Sequence, residues 1–218
     1  MASADATLDE LRHVLAPAIA DAAIFDGWTD AAVRIAAASH GVDPDVALFA
    51  FPGGAMDLIG AWIAQIDADM AAALPPVRVG NLSIRERIRT LVQFRLDALV
   101  GREEALRRAL AIMAMPQNAP AALKLGWHSA DMMWRIAGDT ATDYNHYTKR
   151  MILGSIYTAT LTVFAQDQSE GHADTSAFLD RRIGDVMRFE KAKARILKPR
   201  DEQFSIARLL GRLRYPAR

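Results

Sequence analysis

Residues 27–62 read GWTDAAVRIAAASHGVDPDVALFAFPGGAMDLIGAW, and their stops fix a helical spacing. Thr29 stands at a capping position, and the helix it opens runs to about Ser39 with Gly41 as its stop. A short helix starts at Asp43-Pro44, where proline suits a first turn. Pro52-Gly53-Gly54 breaks it, and a longer helix runs from Ala55 to Leu74. Upstream, a first helix spans about Thr7 to Ala23, ending before Phe25-Asp26-Gly27-Trp28. Downstream, Pro75-Pro76 through Gly80 reads as a loop. A helix from Ser83 then carries Ile88, Val92, Leu96 and Leu99 on one side. After Gly101, Arg102 to Met115 continues with a Glu103–Arg107 pair one turn apart. Asn118 and Pro120 open the next helix, with Leu123, Trp127, Ala130, Trp134 and Ala137 on one face. Further helices run from Thr142 to Gln166, from a cap at Asp174 or Thr175 to Leu197, and from Asp201 to Arg214. Valine, isoleucine and threonine nowhere cluster with period two, so the expectation is an all-α chain of about nine to ten helices. Its expected parts are an N-terminal helical subdomain (1–74), a helical body (75–198) and a basic amphipathic tail (199–218).

Composition narrows the function. A chain of 218 residues, half of them apolar, buries a sizeable core in one domain. With no cysteine, disulfides and thiolate metal sites are excluded. No apolar run approaches ~20 residues, the length that spans a bilayer. No basic region joins an apolar run at the N-terminus, so no signal peptide is expected. Net charge is zero but lopsided. Residues 1–74 hold eleven carboxylates against Arg12 and Arg34, a balance of −9. Residues 188–218 hold ten cations against three acids, a balance of +7. The basic end suits an anionic surface, or simply solvent.

The 27–62 segment resembles the N-terminal unit of TetR-type regulators. The likeness rests on Gly27-Trp28-Thr29, Ile35-Ala36, Gly41-Val42, and Phe49 and Phe51 before the turn. It implies a TetR-regulator-like fold with a helix-turn-helix. DNA binding does not follow from it. A recognition helix meets phosphates with cations and hydroxyls. Here Val42 to Phe51 carries Asp43 and Asp45 and no base, and Gly54 stands where lysine is usual. An acidic lobe repels a polyanion, so no nucleic-acid partner is expected.

A second stretch, residues 142–187, reads TDYNHYTKRMILGSIYTATLTVFAQDQSEGHADTSAFLDRRIGDVM. It resembles the ubiquinone (coenzyme Q) biosynthesis accessory proteins of the Coq-nine type. Their pattern runs D-x-N-W-Y-T-[KR]-R, I-Y-x-x-T, Q-D-x-S, T-x-x-F-L and R-[RV]-[IV]. The chain supplies Asp143, Asn145, Tyr147, Thr148, Lys149 and Arg150, then Ile156-Tyr157 and Thr160. Gln166-Asp167, Ser169, Thr175, Phe178-Leu179 and Arg181-Arg182-Ile183 follow. His146 stands at the family's tryptophan position, keeping a planar ring with less apolar area. With the TetR-like N-terminus, the resemblance covers most of the chain. It implies an all-α homodimer that binds an isoprenoid lipid or quinone precursor in a buried cavity. It also implies docking to the di-iron demethoxyubiquinone hydroxylase, to which the lipid is presented.

The residues themselves offer three candidate sites. A lipid cavity would be lined from Trp62, Ile66, Met70, Leu91, Phe94, Met113, Trp127, Met132, Met133 and Trp134, whose methionines adapt to a flexible tail. The same residues fit an ordinary packed core. A partner patch would comprise Asp143, His146, Tyr147, Lys149 and Arg150, since aromatics and arginine anchor interfaces. Those cations fit a solvated face equally well. Ile206, Leu209, Leu210 and Leu213 form a helical stripe flanked by Arg212 and Arg214, a membrane-surface pattern that also fits a docked lid. The Thr142–Gln166 helix is apolar nearly all round, which suits a subunit interface.

Catalysis is not expected. The five histidines form neither a Glu-x-x-His nor a His-x-x-x-His pair, so no metal or other cofactor is expected. Neither a phosphate-binding loop nor a Gly-x-Ser-x-Gly elbow is present. The reading is a non-enzymatic accessory protein, cytoplasmic and peripheral on a bacterial inner membrane. Its rivals are a ligand-responsive TetR-type regulator and a hydrolase or isomerase hidden in the cavity.

Overall fold

The computed structural model describes residues 7–142 and 144–197, and among these the chain forms ten α-helices and no strand. The first is α1 (Leu8–Asp26), opened by a capping box: the Thr7 hydroxyl accepts from the Glu10 N–H, and the Glu10 carboxylate accepts from the Thr7 N–H. It runs a turn beyond the expected stop, to Gly27, whose φ of 70° ends it. Helix α2 (Asp30–His40) follows. Thr29 does occupy its N-cap, but the hydroxyl donates back to Asp26 O at 3.1 Å and caps no amide. Gly41, left-handed, closes α2 as expected. In α3 (Pro44–Ala50) the Asp43 carboxylate caps the Asp45 N–H at 2.8 Å.

The body begins with α4 (Gly54–Ala73). The stretch expected as loop contains a single turn, α5 (Pro76–Val79). Helix α6 (Ile84–Asp97) starts at a second capping box, Ser83 with Glu86. Then come α7 (Glu103–Met113), α8 (Ala119–Ile136), α9 (Tyr144–Phe164) and α10 (Ala173–Leu197). Arg87 holds the loop before α6 to the end of α8, donating to Leu82 O at 2.9 Å and to Ala137 O at 2.8 Å.

The helices divide into two compact units between Asp180 and Arg181, a boundary inside α10. In the first, α1 packs on α2, α4 and α7, α4 on α6 and α8, and α8 on α9. Small residues (Ala16, Ala20 and Ala23 on α1, Ala32, Ala36 and Ala37 on α2) let α1 and α2 approach closely. The body core is built from larger side chains, among them Leu58, Ile59, Met70, Leu91, Leu96 and Met133. Trp28 stacks on Trp62 at 5.2 Å and donates its Nε1–H to Ala105 O at 3.0 Å, tying the α1–α2 turn to α4 and α7. In the second unit, Arg182 and Arg188 both pair with Asp185 along α10. The stripe Ile206, Leu209, Leu210, Leu213 with Arg212 and Arg214 lies outside the described residues, as does Asp143.

Candidate functional site

Five helices, α4, α6, α7, α8 and α9, surround a cavity of about 90 Å³. Its walls are mostly aliphatic: Ile59, Ile63, Leu99, Leu106, Leu110, Met113, Leu125 and Leu161, with Trp62 and Ile66. Of the ten expected lining residues, Trp62, Ile66 and Met113 lie here. Met70, Leu91 and Met133 instead fill the packed core and do not border the cavity. Phe94, Met132 and Trp134 are half-buried outside it. Its size is also below that of small-molecule pockets, about 300–1,000 Å³. A wider groove of about 650 Å³ lies beyond, between α1, α4 and α8, and is lined by Arg12, His13, Asp57, Trp127 and His128. Leu125 borders both spaces and sits against Gly60, where no side chain intervenes.

One end of the cavity is polar. Arg95 on α6 is 2% exposed and pairs with the equally buried Asp67 on α4. Ser129 on α8 accepts from an Arg95 Nη at 3.1 Å and donates to Asp67 Oδ2 at 3.0 Å. The Tyr157 ring on α9 lies 4.8 Å from the guanidinium carbon. This network escaped the sequence reading because Asp67, Arg95, Ser129 and Tyr157 come from four helices and are far apart in the chain. The available signal was a charged residue on the buried stripe of α6, between Leu91, Val92 and Leu96.

The proposed partner patch divides into an internal half and an external half. Arg150, expected at the surface, is 2% exposed and binds Asp131 Oδ1 at 2.5 Å and Asp139 Oδ2 at 3.0 Å. Lys149 reaches Asp139 Oδ1 at 2.6 Å and lies over the Trp134 ring. These two cations therefore staple α9 to α8. A cation so enclosed is only tolerable when its donors are matched, which is why two acids meet it. Burial pushes the Asp131 and Asp139 carboxyls up. The hydrogen bonds and charges of Arg150, Arg135 and Lys149 outweigh that and leave both below the usual carboxylate range.

The external half is aromatic. Tyr147 is 58% exposed, 5.9 Å from the Trp127 ring and 5.1 Å from His146. The His146 ring nitrogen Nδ1 is 2.9 Å from Ala141 O, which fixes the imidazole beneath Tyr147. Tyr144 (79% exposed) and Met151 (66%) lie one turn to either side on α9, and Leu123 (75%) lies one turn from Trp127 on α8. So many large apolar side chains on neighbouring turns form an exposed patch of the kind that marks an interaction surface. Leu123, Tyr144 and Met151 were not among the expected patch residues. The signal was their period: Tyr144, Tyr147 and Met151 repeat at three and four, displaced from the buried line Arg150, Leu153, Tyr157.

Residues 119–190, which run from α8 into α10, match the COQ9 family model. The ubiquinone biosynthesis protein COQ9, mitochondrial, of Rattus norvegicus is 34% identical over 186 residues, covering 82% of this chain and 59% of that protein. The Homo sapiens protein of the same name is 33% identical, with 82% and 58% covered. The chain is a relative of the COQ9 proteins. It spans about three-fifths of the length of the curated relatives it matches. Among solved structures, a TetR transcriptional regulator from Nitrosomonas europaea superposes with a TM-score of 0.64, over 80% of this chain and 96% of that one. At 22% identity that likeness concerns the fold alone: the COQ9 relative has a TetR-like all-α fold.

Within the COQ9-matched segment, the Gln166-Asp167, Ser169 and Thr175 motif is a turn clasp. The Asp167 carboxylate accepts from the amide and hydroxyl of Ser169 (2.9 and 2.5 Å) and of Thr175 (2.8 and 2.6 Å). The cap of α10 is thus Asp167, with Ser169 Oγ accepting the Asp174 N–H at 3.0 Å, and neither Asp174 nor Thr175 as expected. Burial raises this carboxyl, but the four donors hold it well below the usual carboxylate range. On α9, Tyr144, Tyr147, Met151, Ser155, Thr158 and Thr162 form an exposed line opposite the side that packs on α8.

Proposed function

We propose that the chain serves ubiquinone biosynthesis as a non-catalytic accessory protein that binds an isoprenoid quinone precursor and presents it to a demethoxyubiquinone hydroxylase. The observation that carries this reading is the meeting, on α8 and α9, of an exposed aromatic face with the wall of an apolar cavity. Both helices fall within the segment matched by the COQ9 model. Ligand and partner would therefore be separated only by the thickness of two helices. Tyr147, Trp127, Tyr144, Met151 and Leu123 are the proposed docking surface for the hydroxylase, in the manner of aromatic anchors.

At about 90 Å³ the cavity has room for a ring and not for a polyprenyl tail. We propose that the tail occupies the groove beyond Leu125, whose side chain turns aside when lipid is bound. The oxidation chemistry belongs to the partner. Among the described residues no group of three His, Asp, Glu or Cys is arranged to hold a metal. No single described helix is long and apolar enough to cross a membrane. Peripheral attachment through the basic stripe of residues 206–214, and a dimer through the half-buried flanks of α9 with α10, complete the proposal.

The test is organic extraction of the gently purified protein, followed by mass spectrometry. A polyisoprenoid quinone or precursor in near-stoichiometric amount is the expected result. An extract of bulk phospholipid alone, or an empty one, sinks the lipid reading. The TetR-like fold also suits a ligand-responsive regulator, but α3 offers DNA Asp43, Asp45 and the exposed Phe49, and no cation. Duplex binding at low salt would revive that alternative.

A further inference from the structure

The polar end of the cavity holds a donor that the protein leaves unused. One Arg95 Nη donates to Asp67 Oδ1 and the other to Ser129 Oγ, while Ser129 closes the ring by donating to Asp67 Oδ2. The Arg95 Nε–H has no acceptor, although it is buried and its side chain lines the cavity. A charged group's N–H without a partner in an apolar enclosure is expensive, because it has left water and gained nothing. Proteins rarely retain such a group without a reason.

We infer that Arg95 Nε–H is the ligand contact of this cavity, and that it takes a neutral hydrogen-bond-accepting oxygen, the carbonyl of a quinone ring. The inference rests on the proposed reading of the cavity as a lipid site. Three features specify the class. First, Asp67 already balances the Arg95 charge, so a carboxylate or phosphate would add an unmatched negative charge to a low-dielectric space, whereas a carbonyl adds none. Second, polarity is graded along the cavity. Arg95 and Ser129 are its most enclosed polar groups, while Leu110, Met113 and Leu161 are half-buried and Thr158 is exposed. The oxygen end of a ligand therefore goes in first, with its apolar tail towards the half-buried aliphatic side chains, Leu125 at the groove among them. Third, a volume of about 90 Å³ suits a ring and excludes a bulky phosphorylated headgroup. The Tyr157 face beside the guanidinium completes a flat slot for that ring.

The experiment is equilibrium dialysis of the delipidated full chain against four probes with one tail: decyl-benzoquinone, decylbenzene, decanoic acid and methyl decanoate. The quinone is expected to bind about tenfold tighter than decylbenzene, the worth of one hydrogen bond from a charged donor. Decanoic acid is expected to gain nothing over decylbenzene, and methyl decanoate to fall below the quinone. In the double variant Asp67→Leu with Arg95→Met, which removes both charges together, the quinone preference disappears while decylbenzene still binds. Equal binding of quinone and decylbenzene to the wild type overturns the Arg95 contact and leaves the apolar cavity standing. Decanoic acid as the tightest probe overturns the neutral-oxygen assignment, and methyl decanoate as the tightest overturns the ring. Binding by none of the four removes the lipid cavity itself. The wild-type series decides the question even if the double variant does not fold.

Discussion

Arg150 stands next to Lys149 in the chain, yet the two residues do different work. Lys149 keeps its ammonium at the rim, with a side chain 40% exposed, while Arg150 is enclosed between Asp131 and Asp139. Replacing Arg150 with methionine should cost about 3 kcal/mol in urea denaturation, because Asp131 and Asp139 lose the buried cation they share and keep only Arg135 and Lys149. Lys149→Met should cost under about 1 kcal/mol, as for exposed ion pairs. The distinction was readable from the sequence: Arg150, Leu153, Tyr157, Thr160 and Phe164 advance by three and four, which puts Arg150 on the inner line. What the sequence could not supply was the identity of its acids, which lie on α8 and just beyond it. Asp167 makes a second residue-level case. Its native carboxyl titrates lower than in the unfolded chain, so its contribution is present above the ordinary carboxylate range and is lost as pH falls. The Tm gap between wild type and Asp167→Asn should thus be full near neutrality and shrink on acidification. A gap that stays constant with pH would show the clasp to be steric.

At the scale of elements, α8 and α9 carry the cavity wall on one side and the exposed aromatic face on the other. The double change Tyr147→Ala with Met151→Ala should leave far-UV circular dichroism and Tm nearly unchanged, since both side chains face solvent. It should weaken hydroxylase capture more than tenfold if this face is the anchor. Leu125→Ala should open the cavity into the adjoining groove, and the extracted lipid should shift towards longer tails. Helix positions were legible from capping and stops: Gly41, Asp43, Ser83 and Pro120 all mark real boundaries. Helix faces were less so. On α9 apolar residues occur all round, and only the packing against α8 decides that Met151 faces out while Leu153 faces in. The one-turn α5 was missed because its two prolines read as a breaker, although proline at a first helical position permits a turn.

For the whole molecule, the TetR-like arrangement was visible in the 27–62 spacing because its stops are local signals. The cavity was not, because it depends on side chains from five helices meeting. The charge division also acts at this scale. If the basic end meets anionic lipid, deleting residues 199–218 should abolish sedimentation with phosphatidylglycerol vesicles while the Tm of the helical body holds. Unchanged sedimentation would assign membrane contact elsewhere.

The four tryptophans of the chain differ in depth. Trp28 and Trp62 are sealed in the core, Trp134 is tied to Lys149 O, and Trp127 alone stands beside the exposed Tyr147. Trp28, buried and away from the cavity, should therefore emit from an unchanging setting and serve as an internal reference, while Trp127 emits nearer the water boundary. A protein settling on the α8–α9 face would exclude that water and move the emission of Trp127 to shorter wavelength. The molecule thus carries its own optical gauge of complex formation, and Trp127→Phe should silence it.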